Sequence, residues 1–151
     1  MGNIVERLLD YGFITGSQAF GTAREDSDTD IVYPIYYSQQ VAKIIEGHDI
    51  AKSDYFSGYY ISVDGKQINL IPVHPHEFLP WYLATLAMRE TLKISGIIDP
   101  IKKYAIFQGI VCLYKGMVEE KHDIKSYEII AKTIINNGER SDMLADKELP
   151  F

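Results

Sequence analysis

The chain has 151 residues, of which 46% are hydrophobic and 24% charged, and a formal net charge of -6. Those values are ordinary for one globular domain with a real core, and an acidic chain without a Lys/Arg-rich run offers no extended nucleic-acid surface. The single cysteine, Cys112, excludes an intrachain disulfide and a cysteine-based zinc site, which fits a reducing cytoplasm, and no apolar run reaches the length of a membrane span.

Ile4, Leu8 and Leu9 recur at helical spacing, so residues 3–10 are expected to form a short amphipathic helix ending near Gly12. Phe13 to Thr15 reads as a first strand and Ser17 to Gly21 as a helical turn. Asp30 to Tyr36 reads as a second strand, apolar enough for the centre of a sheet. Ser38 is a good N-cap for a crossover-type helix over 38–46 that Gly47 ends. The Asp64-Gly65 pair predicts a hairpin in which 58–63 and 66–73 run antiparallel.

Beyond the hairpin the period changes. A helix is expected over 77–93 with Pro80 in its first turn. A second is expected over 100–118, with Pro100 at N1 and Cys112 as a buried core thiol. A third spans 123–137 and carries Ile124, Tyr127, Ile130, Ala131 and Ile134, and the tail from Gly138 is polar. Sheet elements first and helices after predict an α+β arrangement with the late helices packed on or beside the sheet. One domain is expected over 1–151: a sheet-containing core over 1–76, a helical part over 77–137 and the tail over 138–151.

The chemistry concentrates between Gly12 and Tyr33, GFITGSQAFGTAREDSDTDIVY, where Glu25, Asp26, Asp28 and Asp30 fall within six residues. In an extended chain Asp28 and Asp30 leave one face while Thr29 leaves the other. Two such carboxylates raise one another's pKa unless a cation sits between them. Mg²⁺ suits the place, because it is usually held by one or two carboxylates plus substrate phosphates. Gly16 permits positive φ and close backbone approach, Ser17 adds a hydroxyl, and N–H groups at such a turn cradle phosphate. The bland alternatives are a solvated acidic turn or a Ca²⁺ loop. Counted from Asp26, an EF-hand loop would need Gly and Glu where Ile31 and Tyr37 stand.

Gly16-Ser17, Gly21 and Ser27-Asp28-Thr29-Asp30 together resemble the GS…G…SDxD signature of the DNA polymerase beta-like nucleotidyltransferase superfamily, especially its small minimal members. Many minimal members carry Arg in the short loop where Gln18 and Phe20 stand here. An aromatic residue before Gly21 resembles instead the phage-type nucleotidyltransferases reading GS-x-A-aromatic-G. The resemblance implies a small mixed sheet with helices and the motif at one edge. It implies transfer of an NMP group from an NTP to a hydroxyl acceptor, with Mg²⁺, or Mn²⁺ in its place, as cofactor. Asp28 and Asp30 would be catalytic and hold the metal, while Gly16, Ser17, Arg24 and Ser27 would meet the nucleotide. For Arg24, an exposed pairing with Glu25 or Asp26 is the plainer account.

The resemblance also implies a third acid on the strand Gln67 to Val73, where the polar residue within the apolar run is Asn69. An amide keeps a carbonyl oxygen for a metal but cannot accept a proton as a base would. His74, His76 or Glu77 are candidates to substitute, the two histidines sharing a face if the strand continues. A nucleotide-binding, antitoxin-like or regulatory module of the same fold, with weak turnover, is the alternative, and a metal-dependent hydrolase has no motif in its favour. In structural terms Asn69 is equally a core amide satisfying a neighbour.

The acceptor stays open among a protein side chain, a short RNA end and a small molecule, and the C-terminal helices offer a surface for a homo-oligomer or a helical partner. Tyrosines within 33–37 and 55–60 suit base stacking, although β-propensity explains them as well. Trp81, with Phe78 and Tyr82, suits helix-to-sheet packing or a pocket wall.

Overall fold

A computed structural model describes residues 2–54, 57–97, 99–118 and 123–137. The elements run α1 (Gly2–Leu8), β1 (Phe13–Thr15), α2 (Gly16–Phe20), β2 (Thr29–Pro34), a 3₁₀ turn (Ile35–Tyr37), α3 (Ser38–Ile44), β3 (Ile50–Lys52), β4 (Tyr59–Val63), β5 (Lys66–Val73), α4 (Pro75–Ser95), α5 (Pro100–Val118) and α6 (Ile124–Asn137). Five strands form one mixed sheet in the order β1-β2-β5-β4-β3, with β2 and β5 parallel and the other pairs antiparallel. This is the expected α+β arrangement, sheet first and helices after, and it includes the hairpin of β4 and β5 around Asp64-Gly65.

Strand side chains alternate between faces, and here the alternation builds two cores. Ile31, Tyr33, Ile61, Ile68 and Leu70 pack with Ile4 and Leu8 of α1 and with Val41 and Ile44 of α3. On the opposite face Phe13, Val32, Ile71 and Val73 meet Phe78, Leu79, Tyr82 and Leu83 of α4 and Ala131 and Ile134 of α6. Phe13 stands edge-on to both Phe78 and Tyr82, with centroids at 4.9 and 5.5 Å. A third cluster, Ala84, Met88, Leu92, Phe107 and Val111, joins α5 to α4. The sheet is thus covered on both faces, and α5 extends the helical layer past it.

Several boundaries differ from the expectation, each for a local reason. The strand expected over 30–36 stops at Pro34, which has no N–H for the ladder, and the chain turns through Ile35–Tyr37. Ser38 is not an N-cap. It is already helical at φ -58° and ψ -36°, and its Oγ donates back to the Ile35 carbonyl at 2.6 Å.

α4 begins at Pro75, whose fixed φ suits a first helical position, and Glu77 Oε1 accepts the His74 N–H at 3.3 Å. That earlier start moves Pro80 out of the first turn into the helix interior, where it is buried. It also ends the strand before His74, so the histidine pair does not continue β5. β3 carries no sequence signal, being three residues long with both ends exposed. No helix among the described residues is long and apolar enough to cross a membrane. The expected tail, 138–151, lies outside the described residues.

Candidate functional site

One lateral row crosses the whole sheet. Thr15 is paired with Asp30, Asp30 with Asn69, Asn69 with Tyr60 and Tyr60 with Ala51. Register partners project to the same side, and this side is the one that bears Phe13, Val32 and Ile71, two residues along each strand. The apolar row lies under α4; the polar row emerges beyond it at the head of a cleft. A one-residue slip of β2 or β5 would turn Asp30 or Asn69 into the opposite core.

At the centre of that row Asn69 Nδ2 donates to Asp30 Oδ1 at 2.6 Å and to Asp28 Oδ2 at 3.4 Å. Asn69 Oδ1 in turn accepts from Gln67 Nε2 at 2.8 Å. Asn69 is only 7% exposed, so these bonds account for an amide that would otherwise be costly to bury. Burial pushes the Asp30 carboxyl up to about 6, against the lowering effect of the Asn69 hydrogen bond and with a further push from the Asp28 charge. The amide nitrogen therefore stands between two acids.

Gly16 sits against the same carboxylate. Its φ is +70°, and a Cβ added there would fall onto Asp30 Oδ2, so both the conformation and the space demand glycine. The preceding Thr15 is buried and its Oγ1 lies 2.8 Å from Thr85 Oγ1. Thr85 donates its one hydroxyl hydrogen to the Trp81 carbonyl at 2.8 Å, so Thr15 is the donor between the two threonines. The glycine turn is in this way tied to α4. Ser17 and Ser27 both line the cleft, and Ser27 Oγ accepts the Arg24 N–H at 2.7 Å. Arg24 is not part of the cleft lining; its side chain is 85% exposed, with Nε 4.0 Å from Asp26 Oδ1.

From this head the cleft continues along α4 and α5, with a volume of about 1380 Å³. Lys52 of β3 and Tyr60 of β4 line one side; Trp81, Tyr104, Phe107 and Gln108 line the other. Phe107 packs against Trp81 and Phe20 with centroids at 5.0 and 5.5 Å, so Phe20 serves as wall packing where an arginine would bring charge. Trp81 is thus both packing and pocket wall, while Phe78 and Tyr82 are core. Cys112 is exposed on the cleft side of α5, not buried as its apolar neighbours suggest. Of the tyrosines, Tyr60 lines the cleft and Tyr33 is buried in the opposite core.

Of the substitutes considered for the third acid, the histidines lie beyond the end of β5 and Glu77 is engaged by other partners. His74 lies five residues beyond Asn69 on the strand axis, about 16 Å away at strand rise, and its ring stacks on His76 at 5.4 Å. Glu77 does line the cleft, but its Oε2 accepts from Lys115 Nζ at 3.1 Å and its Oε1 caps α4. Partial burial would raise the Glu77 carboxyl, and the Lys115 and His74 hydrogen bonds outweigh it to leave the group below the usual carboxylate range.

Lys52, Lys103, Lys115, Tyr104 and Gln108 are cleft residues without a motif to announce them. The only trace is the spacing of 104, 108, 111, 112 and 115, which places them on neighbouring stripes of α5.

Among the described residues no three His, Cys, Asp or Glu side chains gather as a metal cluster. The side chains that could hold a divalent cation there are the Asp28 and Asp30 carboxylates, while the Asn69 oxygen is turned to Gln67. Two acceptor-only carboxylates that converge on one nitrogen, beside a glycine with no Cβ to fill the space, fit a hard cation whose remaining ligands come from substrate and water.

No family model matches the chain, and no curated protein matches it in sequence. Among solved structures it is similar to the crystal structure of ANT(2")-Ia in complex with adenylyl-2"-tobramycin. The identity is 11%, over 90% of this chain and 98% of that chain, with a TM-score of 0.40.

Proposed function

We propose that this chain is a nucleotidyltransferase that moves an NMP group from an NTP to a hydroxyl acceptor, dependent on Mg²⁺ or Mn²⁺. The observation that carries the reading is the convergence of Gly16, Asp28, Asp30 and Asn69 at the head of a cleft roomy enough for a nucleotide and a second molecule. The motif resemblance of Gly16 to Asp30 supplies the reaction class.

In this reaction the acceptor oxygen bonds to the α-phosphorus, the bond from that phosphorus to the bridging oxygen of the β-phosphate breaks, and pyrophosphate leaves. Gly16 and Ser17 would hold the triphosphate by backbone N–H and hydroxyl, and the Asp28 and Asp30 carboxylates would hold the cation. The cation, when bound, neutralises charge on the phosphoryl oxygens, and positioning supplies most of the remaining rate. Asn69 takes no proton, so the acceptor's proton leaves to solvent and turnover is slower by the ~10²- to 10⁴-fold that a general base contributes.

The test is label transfer from NTPs with Mg²⁺ or Mn²⁺ to hydroxyl acceptors of the three classes, protein, short RNA and small molecule. Transfer by the wild type and none by Asp28→Asn/Asp30→Asn is the expected result. Tight cation and nucleotide binding without transfer to any acceptor would favour the second reading, a nucleotide-binding or antitoxin-like module of weak turnover. One observation speaks for that module: both ends of the Asn69 amide are engaged, by the two acids and by Gln67.

A further inference from the structure

Two amides stand in line at the cleft head. Gln67 and Asn69 are two apart on β5 and so share a face, and Gln67 donates to Asn69 while Asn69 donates to Asp30 and Asp28. The direction of this chain is dictated by its acidic end. Ionised carboxylates only accept, so with no cation present Asn69 must turn its NH₂ toward them. Its Oδ1 then faces Gln67, and Gln67 must answer with its own NH₂.

A divalent cation between the carboxylates reverses every requirement, because it repels an NH₂ and draws an oxygen. The terminal amide torsion is broad and roughly two-fold. Turning it in Asn69 brings Oδ1 to the cation and Nδ2 to Gln67. Turning it in Gln67 brings Oε1 to meet that Nδ2. The bond from Gln67 Nε2–H to Asn69 Oδ1 is replaced by one from Asn69 Nδ2–H to Gln67 Oε1. The count of hydrogen bonds between the two amides is the same in both arrangements, so the exchange leaves no buried amide orphaned.

We propose that Gln67 is the positioning residue of the cation site: it sets the orientation of the Asn69 amide, holding the NH₂ toward the acids when no cation is bound and turning with Asn69 to present Oδ1 as the third oxygen ligand when one binds. The proposal rests on the reading of Asp28 and Asp30 as cation ligands. It makes Asn69 a ligand that must be switched into place, unlike the acid it replaces, which would need no turn.

The experiment is a titration of the full chain with Mg²⁺ followed through the side-chain amide signals of Asn69 and Gln67, with Mn²⁺ binding measured in parallel on wild type, Gln67→Glu and Asn69→Asp. Both amides are expected to shift together with one midpoint, and the Gln67 NH₂ to exchange faster with water once turned. In Gln67→Glu, whose carboxylate only accepts, the cation-free arrangement loses the hydrogen bond that Gln67 gave Asn69 Oδ1 while the turned one keeps an acceptor for Asn69 Nδ2, so Mn²⁺ should bind about tenfold tighter and the Asn69 signals should turn at correspondingly lower Mg²⁺. Tighter binding with Asn69 signals that do not move as the cation binds would mark added negative charge alone and would overturn the turning of the amide.

A Gln67 signal that stays in place while wild type and Asn69→Asp both bind Mn²⁺ overturns the role of Gln67 and leaves the cation site standing. Absence of Mn²⁺ binding in both wild type and Asn69→Asp overturns the cation site and this proposal together. If Gln67→Glu does not fold, the wild-type titration decides alone.

Discussion

The head and the far wall of the cleft are built on different principles. At the head, strand register places Thr15, Asp30, Asn69 and Tyr60 in one row, and hydrogen bonds of 2.6 to 3.4 Å bind the polar atoms. The far wall is made of helix surface: Phe107, Trp81 and Phe20 interlock by ring contacts, and Lys103, Tyr104, Gln108 and Lys115 stand on them. Geometry that must hold to a few tenths of an ångström is entrusted to backbone pairing, whereas the wall that would meet an acceptor is side-chain packing. Under the proposed transfer, chemistry and choice of acceptor would be separable.

The largest expected effect tests whether the head is held by backbone. Gly16→Ala places a Cβ on Asp30 and a non-glycine residue at φ +70°. It should lower unfolding free energy by more than 3 kcal/mol, roughly, and abolish Mn²⁺ binding. A Gly16→Ala protein with wild-type melting and Mn²⁺ binding would end the contrast drawn here. Phe107→Ala should remove about 3 kcal/mol from the buried joint of α4 and α5, while Mn²⁺ affinity at the head stays unchanged. A loss of both in parallel would show that head and wall are one unit.

The acidity of Asp30 gives an effect of similar direction but smaller size. Its carboxyl is raised from 3.8 to about 6 in the fold, so the folded state binds the proton more tightly than the unfolded chain. Metal-free stability should be highest below pH ~4, fall by about 2 to 3 kcal/mol as pH rises toward 6, and be flat above. Asp30→Asn should remove that slope in denaturant titrations at several pH values. A cation competes for the same carboxylate, so Mn²⁺ affinity should fall as the pH drops through 6.

The smallest effects belong to the wall's surface. Lys115→Met breaks a partly exposed ion pair with Glu77 and should cost less than about 1 kcal/mol. Thiol reagents should modify exposed Cys112 in the folded protein, and a bound nucleotide should slow the modification.

Much of the fold is legible in the residues because local signals agree there. The Asp64-Gly65 hairpin, the glycine turn at 16 and the late helices all appear where turn chemistry and period place them. Boundaries fail where one residue serves two rules. Ser38 has the right chemistry for a cap, yet Pro34 ends β2 early and lets the helix absorb it. At the site, Asp28, Asp30 and the register of Asn69 follow from one motif and one strand. Lys52, Lys103 and Lys115 do not, because only tertiary packing brings β3 and α5 to the same cleft. Cys112 is misjudged for the same reason: its neighbours are apolar, but α5 buries only Phe107 and Val111.

The lateral row has a further consequence for how the molecule assembles. Thr15, Asp30, Asn69, Tyr60 and Ala51 come one from each strand, and no two are adjacent in the chain. No fragment of the sheet contains the row, so it comes into being only when long-range pairing is complete, late on any route that forms local hairpins first. A ligand that grips the row thus stabilises the whole native ensemble and no partial one, by an amount that grows with the logarithm of its concentration. Occupancy of the cleft head becomes a gauge of global folding, readable by hydrogen exchange in strands as far apart as β1 and β4.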